Sequence, residues 1–374
     1  MRILTTLSYW RPYVSGLTIC AQRLIDGLAK RDFEFTILTS CHEDFLPKKE
    51  LQGKILILRQ TVWFTVGKVP IMHGYLFQLI REITKTDLVW IHLPQAEGLI
   101  TAAVAKLFGK KVVTTVHCLP LLPGGWQRVL FQKLFDLLNN LIIMMADRVV
   151  YYTKDYAENT PELWHFPQKS SYILPPIPEE KGTRKKEEGR RHSDSLIIGF
   201  AGRMAEDKGV EYLVEAVRLL EKKGVRIKLL MAGSRNAVGE SRYSQKIYSL
   251  IDESGIDVEF LGVIDPEKMG DFYKLIDVLV LPSVNRTEAF GMVQAEAMKY
   301  GVPVVVSDLP GVRVSVQRVG VGEIVRIREP KVIAEAIERV ALLEIHGGSS
   351  GGKIEELFSI QRTLGGYSRV FAPK

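Results

Sequence analysis

The stretch Glu288-Ala289-Phe290-Gly291-Met292-Val293-Gln294-Ala295-Glu296-Ala297-Met298, followed by Lys299-Tyr300-Gly301-Val302-Pro303-Val304-Val305-Val306-Ser307-Asp308, decides how this chain is read. Phe290-Gly291 predicts a helix start, Tyr300-Gly301 its end, and Pro303 to Ser307 a short β-branched strand. Glu288 then stands before a helix whose first N–H groups have no partner inside the helix, and an anionic ligand is favoured there. Placed on one helix, Glu288 and Glu296 would lie ~12 Å apart along the axis. That exceeds the ~5–9.5 Å between two carboxyl groups flanking one glycosidic bond. The spacing therefore predicts that they hold two parts of one long ligand.

Outward from this segment, apolar strand-like runs alternate with amphipathic helical stretches along nearly the whole chain, the pattern of parallel sheets covered by helices on both faces. In the first half the strands are expected at Arg2 to Leu7, Phe33 to Thr39, Leu88 to Ile91, Lys111 to Val116 and Arg148 to Tyr152. The second half repeats the rhythm at Ile197 to Ala201, Ile227 to Ala232, Val258 to Leu261, Val278 to Leu281, Pro303 to Ser307 and Glu323 to Ile327. The class is α/β, with two Rossmann-like units, as expected when 374 residues exceed what one core organises. Pro175-Pro176-Ile177-Pro178 and the polar run after it read as the boundary. The expected domains are 1–178, a linker at 179–195, and 196–352, with a helix-prone tail at 353–374.

Arg203 follows the strand ending in Gly199-Phe200-Ala201-Gly202, and Lys208 precedes the next helix. Ligands of doubly wound sheets gather at such carboxyl edges, and two cations five positions apart suit a diphosphate, the arginine as a fork and the lysine as a point charge. Gly16 opens the first helix, but no Gly-x-Gly-x-x-Gly precedes it, which weakens a dinucleotide dehydrogenase. His117 ends the strand Lys111 to Val116, and Phe260-Leu261-Gly262-Val263 is a strand running into a turn.

Together the Glu288 to Glu296 segment and Gly202-Arg203 with Lys208-Gly209 resemble the signature of the retaining glycosyltransferases of family 4, nucleotide-sugar-dependent enzymes of the GT-B fold. The resemblance implies two Rossmann-like doubly wound parallel-sheet domains facing a central cleft, with the tail 353–374 packed back on the first. It implies that Glu288 lies against the donor sugar, that Glu296 binds the ribose, and that backbone N–H groups of Phe290, Gly291, Met292 and Val293 face sugar and phosphate. It further implies diphosphate contacts from Arg203 and Lys208, approach to the donor phosphate by the loop at Gly16, nucleobase contact by the backbone at Gly262 and Val263, and sugar positioning by His117. The implied reaction carries a sugar from a nucleoside diphosphate sugar to a hydroxyl of a glycan or lipid-linked acceptor, with retention. This sequence departs from the family pattern at Pro175 to Pro178 and at Val321-Gly322-Glu323-Ile324, where the family commonly has Asn-Gly and Asn-Gly-Leu. A non-hydrolysing nucleotide-sugar epimerase and a non-catalytic nucleotide-sugar binding protein remain open at this point.

No Asp-x-Asp occurs, so activity without metal or other cofactor is expected, with cations supplied by Arg203, Lys208 and helix N-termini. The net charge of +7 favours anionic partners, although six basic residues fall within Lys181 to Arg191 of the linker. Without a reader motif no nucleic-acid partner is expected. Three cysteines without short spacing suggest neither a disulfide framework nor a zinc site. Lacking a signal-like N-terminus, the chain is expected in the cytoplasm. Trp126 to Ala146 is too interrupted by polar residues to span a membrane, and its apolar face is expected to pack on the first sheet. A peripheral membrane contact, helped by Trp63, Phe64, Tyr75 and Phe77, is the other reading.

Overall fold

The computed structural model describes residues 1–66, 69–121, 128–178, 195–235, 240–341 and 349–372. The chain divides into two units, Met1–Pro176 with Ile360–Lys374, and Ile177–Ser359. Of the expected linker only Ser195 is among the described residues. Lys353 to Ser359 of the expected tail belongs with the second unit, and the chain joins the first from Ile360 onward.

In the first unit the strands are β1 (Arg2–Thr6), β2 (Glu34–Cys41), β3 (Lys49–Gln52), β4 (Ile55–Val66), β5 (Val69–Met72), β6 (Leu88–Leu93), β7 (Lys111–Val116), β8 (Arg148–Tyr151) and β9 (Ser170–Tyr172). They order as β3-β4-β2-β1-β6-β7-β8-β9, with β5 paired to β4. Among the described residues, the antiparallel pairings are those of β3 and β5 with β4. β6 is buried at every position, because helices cover both faces of a central parallel strand. The C-terminal helix Ile360–Phe371 seats on the helix Gly16–Ala29, where Gly27 leaves room for Leu364. Its Tyr367 hydroxyl meets that of Thr115 at 3.2 Å, and Thr363 donates to the Leu174 carbonyl at 3.0 Å.

The helix Arg128–Met145 corrects the expectation for this stretch; Trp126 itself lies outside the described residues. Its buried face carries Asp136, Asn139 and Asn140 beside Ile142 and Ile143, while Val129, Leu130, Phe131, Leu134 and Leu137 are exposed. Asn140 is held inside by donating to the Glu162 carbonyl and accepting from the Trp164 N–H. The hydrogen bonds of Asn140, together with burial of Ile142 and Ile143, set which side of this helix faces in.

The second unit is a six-stranded, all-parallel sheet: β10 (Leu196–Ala201), β11 (Ile227–Ala232), β12 (Val258–Gly262), β13 (Val278–Leu281), β14 (Val304–Ser307) and β15 (Gly322–Val325). The order is β12-β11-β10-β13-β14-β15. The chain runs from β10 outward to β12 and then returns to β13 on the other side of β10. The order reverses between β10 and β13, and the loops after these two strands carry the predicted site. Leu213, Val217 and Leu220 of the helix Val210–Lys222 sit in one core with Ile198, Phe200, Leu229 and Val280, which fixes that helix against the sheet.

Candidate active site

Each loop at the carboxyl edge of the second sheet is fixed by backbone contacts to its neighbour. The Gly202 N–H donates to the Ala232 carbonyl at 2.8 Å, the Gly233 N–H to that of Gly262 at 2.7 Å, and the Val284 N–H to that of Asp207 at 3.0 Å. Gly233 has φ +134°, and a Cβ there would lie 1.9 Å from the Gly202 carbonyl oxygen. Only glycine permits this approach of the loops after β10 and β11.

Glu288 does not lie on the helix, which begins at Met292 and ends at Lys299. A turn in which the Thr287 and Glu288 N–H groups donate to the side chain and carbonyl of Asn285 holds it in the preceding loop. The expected axial separation from Glu296 therefore does not apply. Lys208, at the end of the one-turn 3-10 helix Glu206–Lys208, donates to Glu288 Oε2 at 2.5 Å, and the buried Ser283 hydroxyl approaches the same oxygen at 3.2 Å. The side chains of Lys208 and Glu288 are 16% and 12% exposed. Burial works against the Lys208 ammonium, but the Glu288 and Asp207 carboxylates outweigh it and raise its pKa above the ordinary lysine value. Arg203 is half-buried and lies 3.5 Å from Asp207 Oδ1. The structure thus brings Arg203, Lys208 and Glu288 together.

Gly291 caps the helix with φ +74°, and a Cβ there would lie 2.4 Å from Leu281 Cδ2. The helix's first N–H groups, at Met292 and Val293, fall outside its own ladder. Phe290 turns its ring into the core, 6.2 Å from Phe358, which leaves its backbone as the part facing the loop. Gln294 is fully buried and donates to the Phe290 carbonyl, and to that of Val312 at 2.9 Å. Glu296, two residues further on, is buried and accepts from the Tyr273 hydroxyl at 2.7 Å. Gly262 has φ +71° with open space beside it, and Val263 is exposed.

Two predicted residues lie in the first unit. Gly16 opens its helix behind Ser15, which makes a capping box with Thr18; Gly16 is exposed with an ordinary φ. His117 is 5% exposed, and both ring nitrogens are engaged: Nε2 meets His92 Nδ1 at 2.7 Å and Nδ1 meets the Tyr152 hydroxyl at 2.5 Å. The Tyr152 hydroxyl continues to Cys20 Sγ at 3.1 Å. Burial pushes the His117 pKa down to about 3 and, with His117 beside it, holds that of His92 well below the usual histidine range. The imidazole expected to present itself to a sugar is instead the middle of a buried, uncharged relay. His92, given no role from sequence, is its partner.

Sequence reasoning also missed Ser283 and Tyr273, which hold the two glutamates, and Gln95 and Glu97 in the first unit. Thr6 donates to Gln95 Oε1 at 2.9 Å. Burial pushes the Glu97 carboxyl up to about 7. The backbone N–H groups of Glu97 and Met72 pull in the other direction without closing a hydrogen bond of normal geometry. A serine or threonine followed three residues later by glutamate or glutamine would have marked a helix start here, and that pattern is absent around Glu97.

Residues 14–181 match the family model Glycosyltransferase Family 4, and residues 182–346 match Glycosyl transferases group 1. The chain is 31% identical over 173 residues to the capsular polysaccharide biosynthesis glycosyltransferase CapM of Staphylococcus aureus, covering 45% of this chain and 44% of CapM. The match thus spans less than half of CapM's length. An uncharacterized glycosyltransferase of Methanocaldococcus jannaschii is 26% identical over 370 residues, covering 90% of this chain and 88% of the other. Among solved structures, HepE of Anabaena in complex with UDP-glucose superposes with a TM-score of 0.75 at 16% identity, covering 99% of each chain, which is a likeness of fold. Two consecutive domain matches and a shared two-sheet architecture lead to one assignment: the chain belongs to the family 4, group 1 glycosyltransferases, with the GT-B fold.

Proposed function

We propose that the protein transfers a sugar from a nucleoside diphosphate sugar to a hydroxyl of a glycan or lipid-linked acceptor, with retention at the anomeric carbon and without a metal ion. The observation that carries this reading is the Lys208–Glu288 pair, closed at 2.5 Å at the carboxyl edge of the second sheet with Arg203 beside it. A diphosphate brought to this edge competes for Lys208, and Arg203 supplies a second cation. Both would stabilise the negative charge that grows on the leaving diphosphate in the transition state. Glu288, relieved of its lysine, accepts from sugar hydroxyls, and the Met292 and Val293 N–H groups face sugar or phosphate. Glu296, oriented by Tyr273, takes the ribose hydroxyls. With both nitrogens occupied, His117 is left out of the sugar contacts and assigned to holding the first unit's core.

Likeness to HepE, solved with UDP-glucose, supports a uridine nucleotide as the first donor to try. Thermal-shift screening against nucleoside diphosphate sugars tests the reading, since only a bound donor raises the melting temperature by linkage. Arg203→Glu is expected to abolish the shift; an unchanged shift removes the phosphate assignment. A product of inverted anomeric configuration would sink retention, and activity lost to a chelator and restored by manganese would sink metal independence. Conversion of the free donor without any acceptor would mean an epimerase.

A further inference from the structure

Two features of the first unit expose apolar side chains that a folded domain ordinarily covers. The first is the hairpin of β4 and β5. Its register pairs Val62 with Met72 and then Phe64 with Ile71, so Trp63 is an extra residue in the ladder. A bulge of this kind re-aims side chains. Instead of alternating between the two faces, Trp63 and Phe64 are both exposed, Trp63 at 72%. The second is the helix Arg128–Met145, whose outer side carries Leu130, Phe131, Leu134 and Leu137 beside the exposed Lys133, while Asp136, Asn139 and Asn140 are inside. Exposed aromatic and aliphatic groups on this scale mark an interaction surface.

Charge identifies what covers it. Trp63 lies 6.2 Å from His73, and His73 lines a groove of about 480 Å³ together with Lys48, Lys49, Phe77, Arg81 and Lys85. Glu82 in the same groove is engaged by Lys85 at 3.0 Å and faces Arg81 at 3.8 Å. Phe77, on the groove wall, is itself 74% exposed. A cationic groove edged by exposed aromatic rings is complementary to an anionic bilayer: the rings enter the headgroup boundary and the ammonium groups meet lipid phosphates. Among the described residues no helix is long and apolar enough to cross a membrane.

We propose that the first unit docks on anionic lipid bilayers through the Trp63–Phe64 bulge and the Lys48–Lys49 groove. The partner so identified deepens the reading of a lipid-linked acceptor, although docking stands or falls without any transfer activity. The test is flotation of the full chain with vesicles of phosphatidylcholine alone and of phosphatidylcholine with phosphatidylglycerol. Binding is expected only to the second kind and is expected to weaken with salt. Lys48→Gln with Lys49→Gln should lower partitioning by roughly 25-fold, from ~1 kcal/mol per basic residue near the surface. Trp63→Ser with Phe64→Ser should lower it at least about tenfold. The melting temperature and the donor-induced shift of both variants should stay at the wild-type value, which separates lost docking from lost folding or lost donor binding. Trp63→Phe keeps a ring at that position, so partitioning should persist while quenching of tryptophan emission by brominated lipid falls. No binding to anionic vesicles, equal binding to neutral ones, or binding indifferent to both double substitutions overturns the proposal. So does a dimer in light scattering that dissociates on Trp63→Ser, since a second copy would then be the occupant.

Discussion

Replacing Lys208 with methionine leaves the aliphatic stem in place and removes the charge, stranding Glu288 in a site where its carboxylate is 12% exposed and keeps the Ser283 hydroxyl at 3.2 Å. Removing one partner of a buried pair costs about 3–5 kcal/mol, because the remaining charge stays desolvated. Residual exposure on both side chains places Lys208→Met at the lower end, about 3 kcal/mol. For a unit of this size each kcal/mol moves the melting temperature by roughly 2–4 °C, so a fall of about 6–12 °C is expected. Scanning calorimetry at neutral pH is the assay. The raised Lys208 pKa means that its stabilising contribution is fully present there and is lost only as pH rises past the ordinary lysine range. Lys208→Met with Glu288→Gln removes both charges and should recover most of the loss, while neither form turns over donor. A single variant as stable as wild type, or a double variant as unstable as the sum of its parts, would refute the coupling and with it the reading of this pair as a poised charge centre.

The Glu97 carboxyl, raised from 4.5 to about 7 by burial, binds its proton more tightly in the folded chain than in the unfolded one, so its cost to stability grows as pH rises between those values. Glu97→Gln should therefore stabilise the protein by about 3 kcal/mol at pH 8, with the gain vanishing below pH 4.5; urea unfolding at both pH values checks it. Gly291→Ala forces a side chain into left-handed backbone and into Leu281, which should cost about 1–3 kcal/mol and remove the donor-induced thermal shift. His117, depressed to about 3, is neutral when folded and takes up a proton on unfolding, so stability should fall as pH drops from 6.5 toward 3; in His117→Phe the pH slope over that range should be shallower, and an unchanged slope would remove the buried-relay reading.

Strand positions were legible because buried parallel strands are written as uninterrupted β-branched runs: Val304–Ser307 and Lys111–Val116 lie within a residue of where the sequence places them. Edge strand β3 was not, since Lys49–Gln52 is charged and mostly exposed with no apolar alternation to betray it, whereas the apolar run Ile55–Val66 of β4 was legible but went unread. Arg203, Lys208 and Glu288 could be singled out by charge at loop positions, but not their mutual contact, which depends on the loops after β10 and β13 meeting across a reversal in strand order. The relay at His117 was hidden for a related reason. β6 pairs His92 with Thr115, two residues before His117, and no sequence spacing encodes that register. The orientation of the helix Arg128–Met145 escaped because periodicity reports an apolar stripe without saying which way it points; Asn140 with its backbone partners and the buried Ile142 and Ile143 decide that.

The two carboxyl edges handle charge in opposite ways, and this bears on the division of labour between the units. In the second unit, cations and carboxylates are paired, Lys208 with Glu288 and Arg203 with Asp207, so that a charged ligand finds ready partners. In the first, burial drives the titratable groups at the strand ends toward neutrality: His92 and His117 lose their protons, and Glu97 retains its own up to about pH 7. At this edge the Glu97 carboxyl, protonated up to about pH 7, offers little to a diphosphate but can exchange neutral hydrogen bonds with hydroxyl groups without meeting the desolvation cost of a buried ion. That asymmetry is what a transfer reaction needs if the anionic donor belongs to one unit and an uncharged hydroxyl acceptor to the other. It is open to a direct check: Glu97→Gln should leave donor-induced stabilisation intact while changing the KM for acceptor, and an effect confined to donor binding would reverse the assignment of the two units.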